Sequence, residues 1–129
     1  ILGAWPSDAS PASRENEGIL IRVANNHMTM AYGIEALEGR DAKAWPGFAS
    51  EADVASFPPT MVSVNECDPL RDEGIEFYRL LQRAGVLAQC RQAMGTIHAN
   101  EIFGAFMPDI ARMTARDMAG WLEECLLVR

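Results

Sequence analysis

The sequence predicts an α/β fold with parallel strands on the basis of three consecutive segments. Residues 60–65 are β-branched and mostly apolar without strict alternation, which is typical of a strand buried on both faces. Residues 72–85 have the spacing of an amphipathic helix, and residues 86–94 alternate like a strand near the edge of a sheet. A right-handed crossover makes such strands parallel. We therefore expect both to end at the same edge, where open α/β sheets carry their chemistry.

Length and composition limit what the chain can be. It has 129 residues, of which 49% are hydrophobic and 22% charged, so it forms one globular domain at most. A formal net charge of −7 and a single lysine, Lys43, argue against nucleic acid as a partner. No apolar run approaches the roughly 20 residues of a membrane span, and a cytoplasmic location is the default. Because the first residue is Ile1, we expect the natural start, and any removed targeting signal, upstream.

The first 56 residues are predicted to be a connecting and helical region. Residues 1–18 show no periodicity and predict a connection. Asn25 or Asn26 is expected to cap a helix that continues to Leu37, although Gly33 weakens this helix. A sequence typical of a capping box then predicts one more brief helix, from Ser50-Glu51-Ala52-Asp53.

Residues 57–129 are predicted to form a strand, a helix, a second strand and a last helix. Asp72 or Glu73 can satisfy the free amides at the start of the first helix, and Gly85 ends it because glycine tolerates a left-handed backbone. The apolar face of this helix consists of Ile75, Tyr78, Leu81 and Ala84. The last helix has an apolar stripe that we expect to pack on the sheet, formed by Ala111, Ala115, Met118, Leu122 and Cys125.

Two side chains with acid-base chemistry follow the two strands. Asp68 comes just after the first strand and His98 shortly after the second. A histidine can serve as a general base near neutral pH, and a carboxylate can fix its tautomer and stabilise the imidazolium. On spacing alone, the favoured interpretation of Asp68 is that it begins a turn before Pro69, and His98 could be a surface or core residue without a chemical role.

The other titratable residues are weaker candidates. Asp72 and Glu73 are interpreted as helix-capping charges, and His27, among the methionines of a predicted helix, as a packing residue. The three cysteines are widely spaced without a CxxC pair, so we expect no metal site and no other cofactor. Cys67 is unsuited as a nucleophile because a residue next to the acid in sequence cannot also lie across the histidine from it.

The segment around Asp68 resembles a known family. Asp68-Pro69-Leu70-Arg71-Asp72-Glu73-Gly74, followed by Gly95-Thr96-Ile97-His98, is similar to the C-terminal region of hormone-sensitive-lipase-like carboxylesterases. Within this family, Ala44-Trp45-Pro46-Gly47-Phe48-Ala49-Ser50 resembles the brefeldin A esterase branch. The resemblance implies the C-terminal part of an α/β-hydrolase fold, with its last parallel strands and their helices. The chain would then be one segment of a single hydrolase domain.

The resemblance also implies roles for two residues. In this family the first aspartate of the motif is the triad acid and the histidine of the Gly-x-x-His turn is the base, which correspond to Asp68 and His98. The nucleophile elbow Gly-x-Ser-x-Gly and the oxyanion loop His-Gly-Gly-Gly lie upstream in the family, and neither occurs in this chain. Family members often have Gly-Phe after the histidine, whereas Ala99 and Asn100 follow here, which leaves the backbone conformation beside the base open.

Two functions are consistent with these features. The first is the C-terminal segment of a serine carboxylesterase, inactive alone, whose partners are the upstream remainder of the hydrolase and a small ester. The alternative is a non-catalytic small-molecule receptor or scaffold on the same fold. The resemblance further implies a homodimer through the last edge strand, residues 86–94, although an alternating strand could equally face solvent.

Overall fold

The computed structural model describes residues 10–21 and 27–127. Within these residues, short helices precede a strand-helix-strand unit and a long final helix. The elements in order are α1 (Pro11–Glu15), α2 (His27–Glu38), a 3-10 turn (Pro46–Phe48), α3 (Glu51–Val54), β1 (Thr60–Cys67), α4 (Arg71–Arg83), β2 (Ala88–Ile97) and α5 (Pro108–Leu127).

The first part of the chain contains a helix that the sequence did not predict. The connection predicted for residues 1–18 is wrong at Pro11–Glu15, which form α1. Ser10 precedes this helix in an extended conformation, and proline suits its first turn because the N–H that it lacks would have no helical partner there. Such a short helix is below the length at which a hydrophobic period can be recognised.

The predicted helix through residue 37 and the capping box are both found. α2 ends at Glu38, and Gly33 interrupts its geometry with a φ of 144°. Asn25 and Asn26, the predicted caps of this helix, lie outside the described residues. At the start of α3, the backbone N–H of Ser50 donates to Oδ2 of Asp53 at 2.8 Å, as a capping box requires.

The sheet contains the predicted parallel pair, β1 and β2. Pairing is regular from Thr60 with Ala88 to Asn65 with Ala93, after which Cys67 pairs with Ile97. Over that last step β1 advances by two residues while β2 advances by four, so β2 contains a bulge with two extra residues. The second strand, Ala88–Ile97, starts two residues later than the predicted residues 86–94, and with the bulge it ends three residues later.

The core lies between the sheet and α4. It consists of Val54, Val62, Val64, Leu80, Leu81 and Val86. Gly74 allows the start of α4 to approach β1 closely, because a Cβ at this position would lie 2.6 Å from Cγ1 of Val64. The glycine of the Asp-Pro-Leu-Arg-Asp-Glu-Gly segment therefore has a packing role.

The apolar stripe of α5 does not pack on the sheet as predicted. Met118 and Leu122 are 41% and 58% exposed. Arg91 of β2 forms an ion pair with Asp117 of α5 at 2.5 Å, which joins the helix to the strand. The prediction was wrong because periodicity reveals an apolar face but not the surface that covers it. Among the described helices, none has the length and apolar character needed to cross a membrane.

Candidate active site

Asp68 lies one residue beyond the end of β1, in a turn that fixes one of its carboxylate oxygens. The side chain is 10% exposed. Oδ1 accepts the backbone N–H of Leu70 at 2.8 Å, and the carbonyl oxygen of Asp68 accepts the N–H of Arg71 at 3.0 Å, where α4 begins. The turn therefore determines the orientation of the carboxylate and leaves Oδ2 for a second partner.

His98, one residue beyond β2, is that second partner. Its Nδ1 lies 3.0 Å from Oδ2 of Asp68. Because an ionised carboxylate only accepts hydrogen bonds, we assign the hydrogen to Nδ1, which leaves the lone pair of Nε2 to accept a proton. The His98 side chain is one-third exposed and lines a cleft. The structure thus brings together the two residues that the sequence singled out.

The bulge in β2 turns the chain toward Asp68. Gly95, within the extra residues, has a φ of 70°, which favours glycine. Its backbone N–H donates to Oε2 of Glu66 at 2.6 Å, so a side chain of β1 holds the bulge. Bulges beside active sites commonly redirect a side chain in this way. The glycine of the Gly-x-x-His segment therefore serves to place His98.

α1 packs against the Asp68 turn through buried polar side chains. The Ser13 hydroxyl donates to the carbonyl of Pro69 at 3.0 Å, and Nδ2 of Asn16 lies 3.5 Å from the carbonyl oxygen of Asp68. Both side chains belong to buried residues. The sequence did not indicate this support, because Ser and Asn in a short proline-containing segment are typical of loops and carry no signal for a distant contact.

Asp72 caps a helix other than its own. Its Oδ2 accepts the N–H of Ala12 at 2.8 Å and the hydroxyl of Ser10 at 3.3 Å, while Oδ1 accepts Nε of Arg71 at 2.9 Å. The prediction that Asp72 caps a helix is therefore confirmed, but the helix that it caps is α1 and not α4, to which it belongs. Burial would raise the pKa of Asp72, yet these hydrogen bonds and the charge of Arg71 outweigh burial and hold the pKa below its ordinary value.

Arg71 connects the turn to β1 and to α1. Its Nη1 donates to the carbonyl of Glu66 at 3.0 Å, and its Nη2 lies 3.5 Å from the carboxylate of Glu15. Burial opposes the charge of this guanidinium, but the hydrogen bond and charge of Asp72, with a contribution from Glu15, raise its pKa above the ordinary value. The arginine of the motif thus has a structural role beside the acid.

A cleft of about 370 Å³ runs beside His98 along the edge of β1 that faces away from β2. Every residue from Thr60 to Asn65 lines it. Because successive residues of a strand point to opposite faces, a cleft that contacts all of them follows an edge of the strand. β2 occupies one edge of β1, so the cleft follows the other.

Glu101 also lines this cleft, and the sequence did not indicate a role for it. Its Oε2 accepts Nδ2 of Asn65 at 3.1 Å, and its Oε1 lies 3.5 Å from the hydroxyl of Ser63. The two contacts join residues that are 36 and 38 positions apart in the sequence, so no local pattern reveals them. The carboxylate binds the end of β1 to the loop that follows His98.

Among the described side chains, the remaining titratable candidates form no second site. His27 begins α2, and its side chain lies outside the described part of the chain. Cys67, Cys90 and Cys125 are free thiols, and burial raises the pKa of the Cys90 thiol, which disfavours the reactive thiolate. Within residues 10–21 and 27–127, no group of three or more His, Cys, Asp or Glu side chains is arranged to hold a metal.

Comparison with solved structures finds esterases that share this fold. The structure of esterase Est22 is 61% identical to this chain, with a TM-score of 0.89, and the match covers 95% of this chain and 36% of that one. Brefeldin A esterase, a bacterial homologue of human hormone-sensitive lipase, is 40% identical with a TM-score of 0.84, and the match covers 92% of this chain and 34% of that one. The chain thus spans about a third of these structures.

Comparison of amino-acid sequences leads to the same group of proteins as the comparison of structures. A family model described as alpha/beta hydrolase fold matches residues 4–101. Carboxylesterase NlhH of Mycobacterium tuberculosis is 34% identical over 68 residues, which cover 53% of this chain and 21% of that protein. These matches confirm the predicted α/β fold class, and they confirm the resemblance that implied an α/β-hydrolase.

Proposed function

Because this chain belongs to the alpha/beta hydrolase fold family, we propose that it is the C-terminal segment of a serine carboxylesterase. The observation that carries the proposal is the 3.0 Å contact between Nδ1 of His98 and Oδ2 of Asp68. In this proposal Asp68 is the triad acid and His98 is the base. The nucleophilic serine comes from the part of the same hydrolase domain that precedes this chain.

The geometry supports acyl transfer to serine. Nε2 of His98 takes the hydroxyl proton as the serine oxygen attacks the ester carbonyl, and Asp68 stabilises the imidazolium that forms. The same nitrogen then gives this proton to the leaving alcohol. Water then attacks the carbonyl of the acyl-enzyme and gives its proton to His98, which passes it to the serine oxygen. This step releases the carboxylic acid and regenerates serine. Asp68 suits its role because Leu70 fixes one carboxylate oxygen while the other holds the ring.

Among the described residues, no strand pairs with the edge of β1 that faces away from β2, which supports the further proposal that the upstream part of the hydrolase completes the sheet here. A strand edge carries unmatched N–H and C=O groups and is a natural pairing site for another strand. Neither Gly-x-Ser-x-Gly nor His-Gly-Gly-Gly occurs in the 129 residues, so we expect this chain alone to be inactive toward esters. A small ester as substrate, a homodimer through the outer edge of β2 and a cytoplasmic location remain proposals.

Labelling with a fluorophosphonate tests this function in the complete protein that contains the chain. We expect wild type to be labelled on the serine of an upstream Gly-x-Ser-x-Gly segment, because a histidine-activated serine attacks phosphorus. Tryptic peptides analysed by mass spectrometry identify the labelled residue. If no serine is labelled while a small ligand raises the melting temperature, the non-catalytic receptor is favoured and the esterase proposal is wrong.

A further inference from the structure

The side-chain amide of Asn65 is buried at the last regular pairing of β1 with β2. Asn65 is 4% exposed and pairs with Ala93, just before the bulge. A buried amide has an oxygen and two N–H groups to satisfy, and leaving such a group unpaired costs roughly 1–3 kcal/mol. Its position therefore requires hydrogen-bond partners within reach, and the structure supplies them.

These partners lie on both sides of His98 in sequence. Oδ1 of Asn65 is 2.5 Å from Oγ1 of Thr96, which precedes His98 by two residues. Nδ2 of Asn65 donates at 3.1 Å to Oε2 of Glu101, which follows His98 by three residues. One side chain thus bridges the end of the strand before His98 and the turn after it. We call Asn65, Thr96 and Glu101 the Asn65 clamp.

Glu101 determines the orientation of the amide. An ionised carboxylate has no hydrogen to donate, so the NH₂ group of Asn65 faces Glu101 and its oxygen faces Thr96. The Thr96 hydroxyl also lies 2.6 Å from the carbonyl oxygen of Ala93, and its single proton can serve either acceptor. The amide therefore has one orientation in which both of its ends are bonded.

The loop held by the clamp contains a strained residue, Ala99, and part of the loop is exposed to solvent. Ala99 has a φ of 56°, in the left-handed region, which costs a residue with a side chain roughly 1–2 kcal/mol. Ile102, further along the same loop, is 80% exposed. Such a conformation persists where surrounding contacts hold it. The contact with Asp68 orients the His98 ring, whereas the clamp holds the backbone on both sides of it.

We propose that Asn65 is a positioning residue for His98, acting through Thr96 and Glu101. The proposal rests on the proposed function, in which Nε2 of His98 takes the proton of serine. Displacing a reacting group by about 1 Å can lower a rate by about 100-fold. Ground-state binding of the ester does not depend on that proton transfer. Loss of the clamp therefore lowers kcat and leaves KM nearly unchanged.

Hydrolysis of p-nitrophenyl acetate by the complete protein tests the clamp. We expect Asn65→Ala to lower kcat by about 10–100-fold and to keep KM within about twofold of wild type. The rate is expressed per serine titrated to completion with fluorophosphonate, so that unfolded protein is excluded and slow labelling of a variant does not mask a lower kcat. Gln92→Ala removes an exposed amide from β2 and is the matched control, with wild-type kinetics expected. Wild-type kcat per serine in Asn65→Ala would overturn the proposal.

Two pairs of variants separate positioning from packing, and they replace Asn65→Ala if it does not fold. Thr96→Val removes the hydroxyl and Thr96→Ser keeps it; Glu101→Ala removes the acceptor and Glu101→Gln keeps an oxygen. We expect the first of each pair to lower kcat by about tenfold and the second to stay within about threefold of wild type. Equal rates within both pairs would overturn the proposal.

His98→Ala distinguishes failure of the clamp from failure of the proposed function. If His98→Ala keeps wild-type activity, His98 is not the base, and both the triad assignment and the clamp are wrong. If His98→Ala is inactive while Asn65→Ala and Thr96→Val retain the wild-type kcat per serine, the base is correct and only the clamp is wrong.

Discussion

The two turns that meet at the candidate active site are held in different ways. In the Asp68 turn, Pro69 is fully buried, and hydrogen bonds from Leu70 and Ser13 fix the backbone and the carboxylate. In the His98 loop, Ala99 has left-handed backbone and Phe106 is 82% exposed. The acid is thus held mainly by its neighbours in sequence and by α1. The ring of the base is held by Asp68, and the backbone around it is held by Glu66 and Asn65 of β1.

This difference predicts different consequences for mutations. Because many contacts hold the Asp68 turn, changing its packing should affect the stability of the fold. Because side-chain hydrogen bonds from β1 hold the His98 loop and parts of this loop are exposed to solvent, losing one of these bonds should affect the rate more than the stability. Substitutions in the two regions should therefore differ in their effect on the free energy of unfolding.

Gly74→Ala should destabilise the protein by overpacking α4 against β1. The added Cβ would lie 2.6 Å from Cγ1 of Val64, and we expect the free energy of unfolding to fall by about 2 kcal/mol despite the better helix propensity of alanine. Thermal denaturation followed by circular dichroism measures the effect.

Gly120→Ala provides the matched control in α5. A Cβ at Gly120 meets no atom within 4 Å, so we expect this variant to gain up to about 1 kcal/mol. The Asp68 turn connects β1 to α4. If Gly74→Ala is as stable as Gly120→Ala, the close packing of α4 on β1 does not hold this turn in place.

Asp72→Asn should weaken the junction between α1 and α4 in a pH-dependent way. We expect a loss of about 1 kcal/mol at neutral pH, because the charged hydrogen bonds to Ala12 and Arg71 are partly exposed to solvent. The folded state lowers the pKa of Asp72 below 3.8. The stabilisation is therefore complete above this ordinary value and is lost as the pH falls through the lowered pKa.

Denaturant titrations of wild type and Asp72→Asn across the acidic range check this sign. The difference in stability should shrink as the medium becomes more acidic. Asp109→Asn, which removes an exposed ion pair with Arg112, is the control and should change stability by less than about 0.5 kcal/mol at any pH. A difference between wild type and Asp72→Asn that grows toward acid would contradict the assignment.

Ala99→Gly should have the smallest effect and should be favourable. Glycine relieves the left-handed strain at φ 56° but adds freedom to the unfolded chain, so we expect a net gain of about 0.5 kcal/mol. Gly95→Ala is the reverse test, because it introduces a side chain at a φ of 70° and should destabilise. Melting temperatures measure both variants, and a loss of stability in Ala99→Gly would show that Ala99 is not strained.

The same contrast explains what could be predicted from sequence. The apolar, β-branched residues 60–65, the alternation of residues 86–94 and the helical period of α4 are local signals, so the parallel pair could be predicted. The contiguous acid motif and the family resemblance singled out Asp68 and His98, and their roles stay a prediction. α1 is too short to show a period, and the contact between Asn65 and Glu101 spans 36 residues without a local signal. The spacing of apolar residues correctly predicted the helix α5, but the prediction that its apolar stripe packs on the sheet was wrong.

Hydrolysis of p-nitrophenyl acetate by Asp68→Asn and His98→Ala variants of the complete protein is the most direct test that these residues are the acid and the base. We predict that kcat/KM falls by about 10³- to 10⁶-fold in each variant while the melting temperature stays near that of wild type. Activity within about tenfold of wild type in either folded variant would contradict the assignment.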